Sequence, residues 1–360
     1  MTTDREIARW RLHNQRLVAP HANTAAEVVS GLLAVQAENP SQSAWAVACR
    51  TGSRSAADLD ALLDSGEVLR THVLRSTWHY VAAADADWLL EVTAPRVRPV
   101  AERGLTDGHG WSADDIDRGL AAVVEALSAR PHQTRDQLAE SLREAGQDLP
   151  GHALMMLMAY AELDRVVISG RPDRGAHTYA LYADRVGVPG SRPRDEALAE
   201  LALRYFTGHG PATVKDLAYW ATLPVTDVRR GLAQVRERLE SFEHGGRTFW
   251  HAPGEAPPAA PQQPVAHLLQ ILDETYRGYQ DSRMVLDADS VVPRGRETSI
   301  GMALVDAQMV AAMKRTVGSR VRFDLAPYRP LGRGELAALE EAGAAYAEFL
   351  GLEHELRVGS

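Results

Sequence analysis

The chain has 360 residues, 45% of them hydrophobic, enough for a sizeable core and two or three domains. Its net charge of -9 argues against indiscriminate nucleic-acid binding while leaving room for a local basic surface, and its one cysteine, Cys49, excludes an internal disulfide or a multi-cysteine metal site. No apolar run is long enough to cross a membrane, and the N-terminus lacks the basic-then-apolar order of a signal peptide, so the expected compartment is the cytoplasm.

Helix signals open the chain. Ile7, Trp10, Leu17 and Val18 give residues 4–18 a helical face. Thr24 is placed to cap a helix running to residue 35, with Glu27 completing a capping box. Asn39-Pro40 reads as N-cap and first residue of the next helix, 41–50, and Ser55 as cap of 57–64. Val68, Val73, Leu74, Tyr80 and Val81 then favour a β-ribbon. Helices followed by a ribbon are the order of a winged helix-turn-helix.

That order recurs. Helices are expected at 112–127, 134–144 and 152–163, with extended pieces at 165–169 and 178–182. They are expected again at 194–205, 213–221 and 226–239, followed by a two-strand wing turning on Gly245-Gly246. The proline-rich stretch 252–264 reads as a linker. Beyond it, 268–272, 283–286, 299–305 and 320–324 read as short strands, and 334–350 as a closing helix. The expected fold is therefore α+β, mainly α: three tandem winged-helix units at 1–110, 111–190 and 191–252, a linker at 253–264, and a small β-rich C-terminal domain at 265–360.

The chemistry-bearing residues are sparse. There is no glycine-rich phosphate cradle and no zinc-spaced His/Glu pair, so no metal or cofactor is expected. Cys49 sits in an apolar run and reads as a core residue. Lys215 and Lys314 are the only lysines, and neither has an evident desolvated setting for Schiff-base chemistry. The corner "VQAENP" is the exception. Two residues apart, Gln36 and Glu38 would point about 200° apart on a helix, and they converge only where the helix ends. They either satisfy loose backbone groups at the turn or form a site. On the ribbon, Arg75, Thr77 and His79 alternate and share one strand face. That face either contacts a nucleic-acid strand or is simply polar, with Trp78 and Tyr80 inward. Arg229 and Arg230, on the third unit's last helix, either read a groove or face solvent.

Five stretches carry a resemblance: "LLAVQAENPSQSAWAVACRT" (32–51), "VLRSTWHYVAAADADWLLEVTAPRV" (73–97), "GHGPATVKDLAYWATLP" (208–224), Asp273-Glu274-Thr275-Tyr276 with Gly278-Tyr279, and "VDAQMVAAMKR" (305–315). In this order they resemble the winged-helix family of DNA interstrand-crosslink glycosylases, over almost the whole chain. The resemblance implies three winged helices in a C-shaped body with a β-barrel-like portion. It implies a cofactor-free, monofunctional glycosylase, expected to be a monomer, acting on double-stranded DNA that contains bulky or N7-alkylated purines or crosslinks. The family motif is Gln-x-Gln or Gln-x-Asp. Gln36 matches its first position, whereas Glu38 stands where the family has Gln or Asp, and Met313 stands where a tryptophan is expected. The resemblance thus makes Gln36 and Glu38 the expected catalytic pair, and Arg75, Thr77, His79, Arg229 and Arg230 the expected DNA contacts. Asp273, Glu274 and Tyr276 either line the cleft or anchor the C-terminal domain. Without the resemblance, the residues also allow a non-catalytic DNA-binding regulator, or a protein that binds a small molecule or another protein in the same cleft.

Overall fold

Capping chemistry divides the chain into the elements of the computed structural model, which describes residues 2–75, 77–188, 190–293 and 301–359. Helix α1 (Asp4–Asn14) starts at a capping box between Thr3 and Glu6. Helix α2 (Ala25–Leu32) starts at Thr24, whose hydroxyl accepts the Glu27 N–H at 3.1 Å. Glu27 reaches one residue further back than a capping box requires, to the Asn23 N–H at 2.8 Å. The helix also ends earlier than its apolar run suggests: Leu33 adopts φ +64°, and the chain turns into a two-residue strand, β1 (Val35–Gln36). Asn39 and Pro40 open α3 (Pro40–Ala48) as expected, with Asn39 Oδ1 accepting the Gln42 N–H. Helix α4 (Ala56–Ser65) follows, then the hairpin β2 (Val68–Val73) and β3 (Thr77–Ala82). Strand β1 pairs with β3, giving a sheet of order β1-β3-β2.

A 27-residue helix, α5 (Ala83–His109), leads into the next unit and holds Pro95 and Pro99 in its interior. There α6 (Ala113–Ala129), β4 (Gln133–Thr134), α7 (Arg135–Glu144), α8 (Gly151–Leu163), β5 (Val167–Ser169) and β6 (Thr178–Leu181) repeat the same order, with sheet order β4-β6-β5. A single helical turn, α9 (Tyr182–Arg185), leads to α10 (Arg194–Gly208), α11 (Val214–Trp220), α12 (Val225–Val235) and the hairpin β7 (Glu240–His244) and β8 (Arg247–His251). Ala212 bridges Trp250 where β1 and β4 pair in the earlier units.

The C-terminal portion contains β9 (Ala266–Leu269), the short turns α13 (Glu274–Arg277) and α14 (Arg283–Leu286), β10 (Gly301–Val305), β11 (Gln308–Val317), β12 (Arg320–Pro327), α15 (Arg333–Leu350) and β13 (Glu353–Val358). Its sheet runs β13-β12-β11-β10-β9, antiparallel except for β12 with β13. Two expectations need correction. Residues 283–286 are helical, with Ser282 O accepting from both Val285 and Leu286; the Val285 and Leu286 side chains are fully buried in one cluster with Ile7 and Leu12 of α1 and Val310 of β11. The strand expected at 268–272 is Ala266–Leu269, because the chain turns at Gln270, whose carbonyl accepts the Asp273 N–H. Of the strand expected at 299–305, residues 299 and 300 lie outside the described residues.

The fold is thus α+β, with more helix than strand and a sheet at the C-terminal end. Its cores meet at the first unit. Leu69, Val73 and Val81 of the hairpin join one cluster with Tyr205, Phe206, Trp220 and Tyr279. The first and third units approach closely: a Cβ on Gly208 of α10 would lie 2.2 Å from the Gly31 carbonyl oxygen. Cys49 is buried, and burial raises its thiol pKa to about 12, which suits a core residue. No described helix is long and apolar enough to cross a membrane.

Candidate active site

Gln36 ends the two-residue strand β1, and Glu38 lies in the bend just before the Asn39 cap of α3, so the pair stands between a strand and a helix start and not at the end of a helix. The peptide between them is held on both sides: the Ala37 N–H donates to Trp78 O at 2.7 Å, and Arg70 Nε donates to Ala37 O at 2.9 Å. The Glu38 N–H donates to Gln36 Oε1 at 3.1 Å, so the pair converges through the backbone. Glu38 Oε2 accepts the Trp78 N–H at 3.1 Å, while Oε1 has no hydrogen-bond partner among the described residues. Gln36 is buried and Glu38 exposed. A fixed carboxylate at the surface therefore stands beside a buried amide.

The hairpin behind the pair presents two faces. Gln36 registers with His79, and His79 with Thr71, so all three share a face. Thr77, two residues from His79, lies on that face too. His79 is fully buried, and its Nδ1 donates to Thr77 O at 2.8 Å. Burial, reinforced by the Arg75 charge, pushes its pKa down to about 3, so its ring is neutral at physiological pH. His79 Nε2 and the hydroxyls of Thr71 and Thr77 are buried without partners. Arg75, at the turn, donates to Trp220 O at 3.1 Å. The sequence-derived set Gln36, Glu38, Arg75, Thr77 and His79 is thus brought together on one hairpin and its partner strand.

Arg229 and Arg230 lie elsewhere, on exposed positions of α12. Arg230 is committed to Asp195, with contacts of 2.6 and 2.7 Å. Arg229 lines a cleft of about 740 Å³ with Lys215 and Arg247.

Sequence reasoning left Glu274 between cleft and anchor, and the structure gives it a place. Asp273 forms a doubly hydrogen-bonded, fully buried pair with Arg50, at 2.7 and 3.0 Å, and caps the α13 turn through the Thr275 N–H. That turn presents the buried Glu274 carboxylate to the motif. Its Oε1 accepts the Gln36 N–H at 3.2 Å, and its Oε2 accepts from Trp220 Nε1 at 2.8 Å and lies 3.3 Å from His209 Nε2. The signal available beforehand was the acidic pair Asp273-Glu274 itself. On the other hairpin face, His72 and Trp78 Nε1 both reach the buried Glu162 of α8, which the sequence did not mark. No group of three or more His, Cys, Asp or Glu side chains suited to a metal occurs among the described residues.

The sequence model of the DNA glycosylase AlkZ-like family matches residues 29–349, and the chain belongs to that family, which hydrolyses N-glycosyl bonds in DNA. Among individual proteins, it is 24% identical over 263 residues to the interstrand DNA cross-link repair glycosylase of Streptomyces sahachiroi, covering 68% of each chain. The solved structure of the DNA glycosylase AlkZ from the same organism shares the fold over 99% of this chain and 100% of that one, with a TM-score of 0.75 at 21% identity.

Proposed function

We propose that this glycosylase excises bulky or N7-alkylated purines from double-stranded DNA, crosslinked purines included, with Glu38 activating water and Gln36 orienting it. A purine alkylated at N7 already carries positive charge and leaves without prior protonation. The remaining tasks are to stabilise an oxocarbenium-like sugar and to deprotonate the water that attacks its anomeric carbon, as in glycoside hydrolysis. A carboxylate serves both tasks; an amide orients water but does not take its proton. The products are the free base and an abasic sugar, with the water proton passing to Glu38.

The observation that carries this reading is the Glu38 carboxylate. One oxygen is pinned by the Trp78 N–H, and the other is free of protein partners among the described residues. Tying one oxygen fixes the orientation of the other, which makes up for the added methylene relative to Asp. Crosslinked substrates are supported by what the S. sahachiroi relative is named for. The three repeated helix-and-hairpin units read as winged helices, and the cleft beside α12 offers Lys215 and Arg229 to phosphates, its third cation, Arg247, being paired with Asp281 at 3.1 Å. The deciding experiment measures release of N7-methylguanine from duplex DNA by the purified protein. Release is expected, and none on either methylated or crosslinked duplex would overturn the proposal.

A further inference from the structure

Glu274 has an environment that no helix cap or domain anchor requires. Three N–H groups converge on it from three elements: Gln36 on β1, His209 just beyond α10, and Trp220 at the end of α11. Both oxygens are used. His209 is itself held in place, stacked on Tyr205 at 4.7 Å between ring centroids. Gly278 packs closely on this group: a Cβ there would lie 2.4 Å from the Glu274 carbonyl oxygen and 2.9 Å from the His209 ring. The charged side chains within reach of the carboxylate are Arg75 at the hairpin turn and the buried Arg50, and the titratable rings of His209 and His79 lie beside it. Burial by itself would raise the carboxyl pKa, but the His209 hydrogen bond and the Arg75 charge hold it at about 2. The group is therefore ionised at any pH at which the protein works, and burial shields it from salt.

We propose that Glu274 is a positioning residue for base excision: it fixes strand β1 through the Gln36 N–H and keeps a permanent negative charge one peptide away from the motif, where positive charge develops on the sugar. The fixed charge acts in a water-poor setting, where preorganised electrostatics count most. Strand β1 is only two residues long, too short to be rigid by its own ladder, and the Glu274 contact supplies an anchor from outside the sheet. The inference rests on the excision reading above.

The test separates charge from shape. In Glu274→Gln, an amide NH2 must face either the Gln36 N–H or the Trp220 and His209 donors, so the variant mixes lost charge with a donor–donor clash. Adding Trp220→Phe removes one of those donors. Single-turnover release of N7-methylguanine is measured with DNA affinity and melting temperature in parallel. Trp220→Phe alone removes one donor to Glu274 but keeps its charge; it is expected to lose less than Glu274→Gln and is the reference for the double variant. Glu274→Gln and the double variant are both expected to fall about thirtyfold or more with DNA affinity unchanged, an effect of the size seen for a lost preorganised electrostatic contact. Glu274→Asp, which keeps the charge, is expected to lie nearer to wild type than Glu274→Gln. Recovery of the double variant to the Trp220→Phe rate, or equal losses in Glu274→Asp and Glu274→Gln, would reduce Glu274 to a packing residue and overturn the inference. Absence of release by wild type would instead sink the excision reading.

Discussion

The two faces of the β2–β3 hairpin solve one problem in two ways. Each is backed by a buried glutamate from another unit: Glu274 on the face bearing Thr71 and His79, Glu162 on the face bearing His72 and Trp78. Each glutamate meets a histidine and a tryptophan indole. Glu274 acts on Gln36 directly, whereas Glu162 acts on Glu38 through Trp78, whose indole it binds and whose backbone N–H holds the Glu38 carboxylate. The two supports differ in completeness. Both oxygens of Glu274 are bonded, but Glu162 Oε1 is buried without a partner, and the His72 side chain keeps 14% of its exposure. The tighter support lies under Gln36, proposed to orient the water, and the looser one under Glu38, proposed to activate it.

The largest expected effect tests the division of labour itself. Glu38→Gln keeps an oxygen for the Trp78 N–H but removes the proposed base. Single-turnover excision should fall on the order of 10²–10³-fold near neutral pH, with DNA affinity unchanged. A variant that still releases N7-methylguanine at the wild-type rate would move the base elsewhere.

pH separates two buried groups on the same side of the hairpin, His79 of β3 and Glu274 of the α13 turn. Glu274 titrates lower when folded, near 2 against 4.5, so its contribution is fully present above about pH 4.5 and is lost as pH falls toward 2. At about 1.4 kcal/mol per unit, that contribution is roughly 3 kcal/mol. His79 is also depressed, near 3 against 6.5, but it is the neutral ring that the fold prefers. The unfolded chain takes up this proton below about 6.5 and the folded chain does not, so stability falls as pH drops through that window. His79→Gln should flatten the curve of melting temperature against pH from about 6.5 downward. Glu274→Gln should flatten it only from about 4.5 downward. Flattening in the same window by both variants would show that the two groups titrate as one unit.

Steric room on the Glu274 side is the next lever. Gly278→Ala would press on the Glu274 carbonyl oxygen first and on the His209 ring next, and overpacking of this kind costs about 1–3 kcal/mol. Loss of stability in chemical denaturation with excision slowed in parallel would tie the packing to the site. Unchanged stability would show that the α13 turn and His209 have room to move.

Where local chemistry sets the structure, the sequence was a good guide. Asn39-Pro40 starts α3 because the side-chain cap and the fixed φ act within one turn, and the repeated helix-and-hairpin order follows from periodicity. Where long-range contacts decide, it was not. An apolar run from Val28 to Val35 reads as one helix, yet Leu33 turns with positive φ and Val35 pairs with Tyr80 across 45 residues of sequence. Helix α5 was not expected from the sequence: it holds Pro95 and Pro99 in its interior, and the tertiary packing of Trp88, Leu89, Val92 and Val97 outweighs them. Strand β13 is mostly polar and only half-buried, and its pairing with β12 makes it a strand. In the site, Gln36 and Glu38 stood out through their motif. Glu162 did not, because a glutamate inside an apolar helix gives no sign of which indole or imidazole it will meet.

The smallest expected effect bears on that hidden residue. Glu162→Gln keeps an oxygen that can accept from Trp78 Nε1 or His72, so the hairpin should stay in place. What it removes is the charge that a protonated His72 would pair with. Because Glu162 reaches Glu38 only through the Trp78 backbone, excision should slow by about tenfold at most, or ~1.4 kcal/mol of barrier, with the Glu38→Gln loss still available on top of it. Trp78 fluorescence offers a readout that does not depend on turnover, since the indole is bonded to the altered carboxylate. A changed emission with a small rate loss fits an indirect support. A loss as large as that of Glu38→Gln would mean that the looser face governs the carboxylate as tightly as Glu274 governs the amide, and the contrast between the two faces would vanish.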